Sequence, residues 1–202
     1  YSPEKLPGIY RPMMWMMTKK VTKEPPKDEK EAYMHQVFRE GADFVDEKYL
    51  EPVLACPHAV QNVKNVTEVE GVKIQQAFLG SCTNGRIEDF LQAAEILRGQ
   101  KIHPNVRMIV VPGSQTIYLE MARMGLLEMF TECGAAVLSP GCASCGGFGP
   151  GTIGNDEVCI STTNRNWQGR MGPKSSSVYL GSAYSVAAAA VAGEIVSPLR
   201  YL

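Results

Sequence analysis

The stretch Val72-Lys73-Ile74-Gln75-Gln76-Ala77-Phe78-Leu79-Gly80 opens with alternating side chains and closes on an apolar run. Alternation followed by a short apolar run predicts a β-strand. Ser81-Cys82-Thr83-Asn84-Gly85-Arg86 comes next, then Ile87, Phe90, Leu91, Ala94 and Leu97 at helical spacing. Asn84 is a candidate N-cap for that helix, because its side-chain oxygen can accept an unpaired first-turn N–H.

The rest of the chain repeats this rhythm. Met108-Ile109-Val110-Val111 reads as a buried strand closed by Pro112-Gly113. Ser114 caps a second predicted helix, with Ile117, Met121 and Met124 on its apolar face. Ala135 to Leu138, Val158 to Ser161 and Ser177 to Leu180 read as short strands, and an alanine-rich helix starts near Ser182. Strands alternating with helices predict an α/β layered domain with a largely parallel sheet. In such sheets chemistry gathers in loops at the carboxyl ends of strands. That rule selects the loops after Gly80, Leu138 and Ser161.

The 202 residues, 45% of them hydrophobic, suit one domain or one domain with an appendage. Five of the 13 prolines precede residue 27, and Pro25-Pro26 interrupts a charged segment from Lys19 to Lys30. Residues 1–47 are therefore expected to form an irregular and helical N-terminal extension, with one helix between Lys27 and Phe44. Residues 48–202 are expected to form the α/β domain. Met13-Met14-Trp15-Met16-Met17 reads as a docking contact, since five residues cannot anchor a chain in a membrane. No apolar run approaches the roughly 20 residues that span a bilayer, and no signal-peptide pattern is present. The chain begins at Tyr1 without an initiator methionine, which reads as a processed chain or a portion of a longer one. The 20 basic and 21 acidic residues nearly cancel, which does not suit a dedicated binder of nucleic acid or of an anionic membrane.

Six cysteines, at 56, 82, 133, 142, 145 and 159, are too sparse for a disulfide-stapled scaffold. Reduced thiols and a cytoplasmic location are expected. A single reduced cysteine is ordinarily core filler. Cys82 differs, because it sits at a strand end near a helix N-terminus, where backbone N–H groups favour a thiolate. Pro140-Gly141-Cys142-Ala143-Ser144-Cys145-Gly146-Gly147 places two cysteines three apart among glycines, which let backbone approach a bulky inorganic group. A thioredoxin-type pair would open a helix, whereas this motif runs into glycines. A zinc ribbon needs a second Cys-x-x-Cys, and a ferredoxin needs a denser run with a Cys-Pro. The remaining reading is a cluster held by Cys82, Cys142 and Cys145, whose fourth iron would carry no protein ligand. The third loop, Ser161 to Arg170, carries Arg165 and Arg170 among asparagines and threonines, a composition suited to carboxylates because guanidinium meets them in a bidentate fork. Gly149-Pro150-Gly151-Thr152-Ile153-Gly154 fits the dinucleotide fingerprint by spacing, but it follows a cysteine loop and precedes a strand, which is the wrong context.

Ser81-Cys82-Thr83-Asn84, Cys142-x-x-Cys145 and Asn164-Arg165-Asn166-x-x-Gly169-Arg170 together resemble the aconitase superfamily, in order and approximate spacing. Arg170-Met171-Gly172 and Val110-Val111-Pro112-Gly113-Ser114 are most similar to its branch of prokaryotic-type 3-isopropylmalate dehydratase and homoaconitase large subunits. The resemblance runs from about Leu50 to Pro198, and residues 1–45 offer no counterpart. It implies a three-layer α/β/α domain with a mostly parallel sheet. It implies a [4Fe–4S] cluster on Cys82, Cys142 and Cys145, with Asn164 beside it and Arg165 and Arg170 in the substrate pocket. The implied reaction moves water within a hydroxy di- or tricarboxylic acid. The implied partners are that small-molecule acid, the remaining large-subunit domains and a small swivelling subunit or domain that supplies a serine base. A fragment of this kind is expected to be inactive alone. Two other classes stay open: a non-catalytic module that binds zinc or a labile cluster, and an RNA-binding side role, which the balanced charge opposes. His35, His58 and His103 lie outside the motifs and carry no expected role. Cys56, Cys133 and Cys159 are expected to pack.

Overall fold

A computed structural model describes residues 52–202. The expected N-terminal extension, with its helix and its Met13–Met17 cluster, lies outside the described residues. Among those described, seven strands form one sheet: β1 (Val53–Ala55), β2 (Val63–Asn65), β3 (Gln76–Gly80), β4 (Arg107–Val111), β5 (Ala136–Val137), β6 (Val158–Ser161) and β7 (Ser177–Leu180). Their order is β2-β1-β7-β6-β3-β4-β5. The run from β7 to β5 is parallel, and β1 joins β7 antiparallel. The helices are α1 (Ile87–Leu97), α2 (Gln115–Arg123), α3 (Leu126–Cys133) and α4 (Ala183–Ala192).

Side chains alternate across the sheet and build two cores. Ala77, Leu79, Met108, Val110 and Ile160 face a cluster to which all four helices contribute, through residues such as Phe90, Met121, Phe130 and Val186. Phe78, Val111, Cys159, Val178 and Leu180 face the other way and pack with Ile153 and Met171. Right-handed crossovers explain the division. The β3→β4→β5 connections advance toward one edge, so their helices share one face. The β5→β6 and β6→β7 connections run the opposite way and cover the other face. The α/β class and the mostly parallel sheet are as expected. The third layer, however, consists of loops with one 3-10 turn at Ala143–Gly146 among the described residues. Its first loop carries glycines at 141, 146, 147, 149, 151 and 154, too many to propagate a helix.

Several local expectations change. The alternating start of the 72–80 stretch does not belong to β3. It pairs instead with the chain after α4, where Gly71 and Ile74 donate to Ile195 and Gly193 carbonyls at 2.9 and 3.1 Å. Asn84 does not cap α1: Arg86 precedes the helix, and the Asp89 carboxylate accepts its backbone N–H at 3.0 Å. Leu91 and Met124 lie toward solvent rather than in the core. Met124 does so because α2 ends at Arg123 and Gly125, at φ +71°, redirects the chain into α3. Ser114 caps α2 as expected, accepting the Ile117 N–H, and Ser182, near which the alanine-rich helix was expected to start, caps α4 by accepting the Ser185 N–H.

The register of α1 is testable. Phe90 is fully buried edge-to-face on Phe130, with ring centroids 6.1 Å apart. Phe90→Ala is expected to cost about 3–5 kcal/mol in urea unfolding. Leu91→Ala should change stability by less than about 0.5 kcal/mol. Equal losses would mean that the helix face is wrongly assigned.

Candidate functional site

The strand order changes direction between β3 and β6, and loops leaving neighbouring strands in opposite senses open a crevice at their carboxyl ends. Side chains fasten this point. The Thr162 hydroxyl accepts the Gly80 N–H at 2.7 Å, and the Thr162 N–H donates to the Phe78 carbonyl at 3.0 Å. The Asn84 amide donates to the Thr162 carbonyl, so the residue expected to cap a helix instead ties the first loop to the third.

Backbone contacts set the position of Cys82. The Ser81 N–H donates to the Val111 carbonyl at 2.8 Å, and Gly113 N–H donates to Gly85 O at 2.9 Å. A Cβ on Gly85 would lie 2.4 Å from the Ser81 carbonyl oxygen and 2.8 Å from Gly113 N. The loop therefore folds onto the exit of β4 with no room for a side chain. Ser81 is buried and held at φ +92°, a conformation that costs a non-glycine residue about 1–3 kcal/mol.

The second loop meets it there. Gly141 N–H donates to the Pro112 carbonyl at 3.2 Å, and Cys145 N–H closes the 3-10 turn on the Cys142 carbonyl at 3.1 Å. Cys142 Sγ lies 3.7 Å from Cys82 Sγ, across 60 residues of chain. Contact with the Cys82 thiol pushes the Cys142 thiol up from its ordinary value, and Arg170 acts in the opposite direction. Cys145 is buried, and Arg170 Nη2 donates to its sulfur at 3.8 Å.

The third loop supplies the remaining groups. The Asn164 amide donates to the Thr83 hydroxyl at 3.4 Å, and that hydroxyl is 3.7 Å from Cys82 Sγ. Asn166 is buried, and its amide donates to the Cys56 carbonyl at 2.6 Å, which pins the loop to the end of β1. Arg165 is exposed and stacks over Trp167, its guanidinium carbon 5.1 Å from the ring centroid. Arg170 Nε is buried without an acceptor among the described residues. Leaving a buried donor unpaired costs roughly 1–3 kcal/mol, so this nitrogen stands ready for one.

Cys82, Cys142, Cys145, Asn164 and Arg170 are thus linked by contact, while Arg165 shares their loop but rests on Trp167. Asn166 and Thr162 matter as fasteners, a role that their polar type in a strand-end loop only hinted at. Cys56, Cys133 and Cys159 are buried, and burial pushes the Cys159 thiol up to about 12. His58 is exposed, and His103 Nδ1 accepts the Asn105 N–H at 3.2 Å. His35 lies outside the described residues. No helix follows Gly149–Gly154; β6 does.

The donor set is all sulfur, which selects soft metals and iron–sulfur groups over hard cations. Among the described residues, no three His, Cys, Asp or Glu side chains close around a single metal ion. Residues 18–193 match the model of the aconitase family (aconitate hydratase). The chain belongs to the aconitase family. The match begins well before Leu50, so it takes in sequence for which the motifs offered no counterpart.

Several relatives of this aconitase-family chain are named 3-isopropylmalate dehydratase large subunits. It is 45% identical over 159 residues to 3-isopropylmalate dehydratase large subunit 2 of Archaeoglobus fulgidus, covering 79% of this chain and 38% of that protein. It is 49% identical over 154 residues to the protein of the same name in Rubrobacter xylanophilus, covering 76% and 36%. It is 44% identical over 168 residues to the 3-isopropylmalate dehydratase large subunit of Elusimicrobium minutum, covering 81% and 40%. The chain spans about two fifths of the length of these curated relatives.

The glycine contacts that hold Cys82 generate a prediction. Gly85→Ala drives a Cβ into backbone on three sides and should cost about 1–3 kcal/mol or more. Gly99 has open space at φ +77°, so Gly99→Ala should cost only about 1–2 kcal/mol of backbone strain. Urea midpoints compare the two, and a Gly85→Ala chain as stable as wild type would mean that the loop is not held this way.

Proposed function

We propose that this chain is the cluster-binding portion of an iron–sulfur hydro-lyase acting on a hydroxy di- or tricarboxylic acid such as 3-isopropylmalate, homocitrate or citrate. The observation that carries the reading is the meeting of Cys82, Cys142 and Cys145 with Arg170 at the crevice between β3 and β6. Three soft thiols fit a [4Fe–4S] cluster. When bound, such a cluster supplies an iron without a protein ligand, a Lewis acid for a substrate hydroxyl.

The residues of this chain would hold and orient the acid. Arg165, steadied on the Trp167 face, presents its N–H edge to one carboxylate. Arg170 offers a half-buried guanidinium, its Nε enclosed, to the charge that grows as the adjacent proton leaves. Asn164, held by Thr83, lines the same edge. The base that takes the proton comes from outside this chain. The relatives are named large subunits, which supports an assembly containing the remaining large-subunit segments and a small swivelling subunit. Phe148, just after the cysteine turn, and Trp167, in the arginine loop, are 77% and 53% exposed and suit cover by that assembly. Among the described residues, no helix is long and apolar enough to cross a membrane.

Anaerobic reconstitution of the full chain with iron and sulfide tests this reading. A broad band near roughly 400 nm with about four irons per chain is expected for a thiolate-held cube. Cys142→Ser should abolish retention while leaving far-UV circular dichroism unchanged. Zinc alone would move the non-catalytic binding module ahead, and a full cluster on the serine variant would remove Cys142 from the ligand set.

A further inference from the structure

One contact gives Arg170 a role beyond carboxylate recognition. Its Nη2 donates to the sulfur of Cys145, the one thiol of the three that is buried. We propose that Arg170 is a positioning and charge-tuning residue for the iron–sulfur group, holding the Cys145 sulfur by a charge-assisted hydrogen bond and thereby setting the retention and reduction potential of the cluster. The inference rests on the proposed function and deepens it.

Backbone packing fixes the main chain of Arg170 beside the cysteine loop. Arg170 N–H closes a turn on the Trp167 carbonyl at 2.9 Å. Gly147, the residue that ends the cysteine turn at φ +89°, packs so closely that a Cβ would lie 3.1 Å from the Arg170 carbonyl oxygen. On the far side, Ile153 N–H donates to the Met171 carbonyl at 3.0 Å, and a Cβ on Gly172 would lie 2.4 Å from Ile153 O. The cysteine loop and the arginine loop are therefore sewn together on both sides of Arg170. This packing sets the spacing of the two main chains, and from there the Arg170 side chain reaches the Cys145 sulfur.

The chemistry follows from charge. A group held by thiolates becomes more negative when it accepts an electron, and a fixed cation beside one sulfur favours that state. A hydrogen bond to a ligand sulfur raises the potential of such groups for the same reason. The second donor, Nε, is buried and unpaired, so the guanidinium can engage sulfur and a further acceptor together. Lysine would keep the charge and lose the fork; methionine would lose both.

The test uses the full chain, reconstituted anaerobically with iron and sulfide, as wild type, Arg170→Met and Arg170→Lys. Iron and sulfide remaining during incubation with a chelator, and the midpoint of reduction, are the two readouts. Arg170→Met should lose its cluster several-fold faster. Its reduction equilibrium should fall about tenfold, which is ~59 mV for one electron. Arg170→Lys should stay near wild type in midpoint. If Arg170→Met does not fold by circular dichroism, Arg170→Gln replaces it under the same expectation. A neutral variant that matches wild type in both readouts overturns the inference and leaves the proposed function standing. A wild-type chain that takes up no cluster overturns the proposed function, and the inference falls with it.

Discussion

The Thr162 hydroxyl and the Asn84 amide hold together the two strands at which the sheet changes direction. Parallel neighbours of this kind share hydrogen bonds up to their last residues and then send their chains to opposite faces. The loop after β3 departs toward α1 on the helical side. The loop after β6 departs toward the loop-covered side. The tie across the gap joins the first loop to the third, as the packing of Gly147 on Arg170 joins the second to the third. With it, the Gly80 N–H has an acceptor where the regular ladder stops, and Cys82 and Asn164 reach the same place through Thr83.

The two faces of the sheet divide the work. One carries the large apolar core, where the alanine-rich α4 packs closely against α1 and β3 because small side chains let the helices approach. The other carries a smaller core under the loops. Among the described residues, six buried side-chain polar atoms lack partners, and four of them, Ser81 and Ser144 Oγ, Asn166 Oδ1 and Arg170 Nε, lie in the three motif loops. Such atoms oppose folding when buried. The helical face offsets them, so the crevice can keep groups whose partners arrive with a ligand.

Much of this was legible in the sequence because it is local. Val158–Ser161 and Ser177–Leu180 are strands with the bounds their apolar runs suggested. The three cysteines could be singled out because each sits in a short motif next to a strand, whereas Asn164 came from the family resemblance. Other features depend on distant partners. β1 and β2 are only three residues long, too short for any periodicity to register. α3 was missed because Gly125 separates it from α2 and leaves eight residues whose apolar content suits strand or helix equally. Leu91 fits the helical stripe of α1 but stands at its edge, and only the packing of Phe130 decides which residue turns inward. The Arg170–Cys145 contact spans 25 residues and requires Gly147 to lie against Arg170, which no spacing rule encodes.

The wall around Cys82 has a consequence for how such a protein can diverge. Gly80, Gly85, Ser81 and Val111 meet there backbone to backbone, so the position of the thiol is written in main-chain geometry. A wall made of side chains can be reshaped by small steps, a methyl group at a time. A wall made of peptide groups offers no such gradation, since the smallest possible addition already collides with a carbonyl oxygen. Gradual change is therefore left to the rim, where Arg165 and Trp167 stand in solvent. The floor around Cys82 is inherited whole or lost.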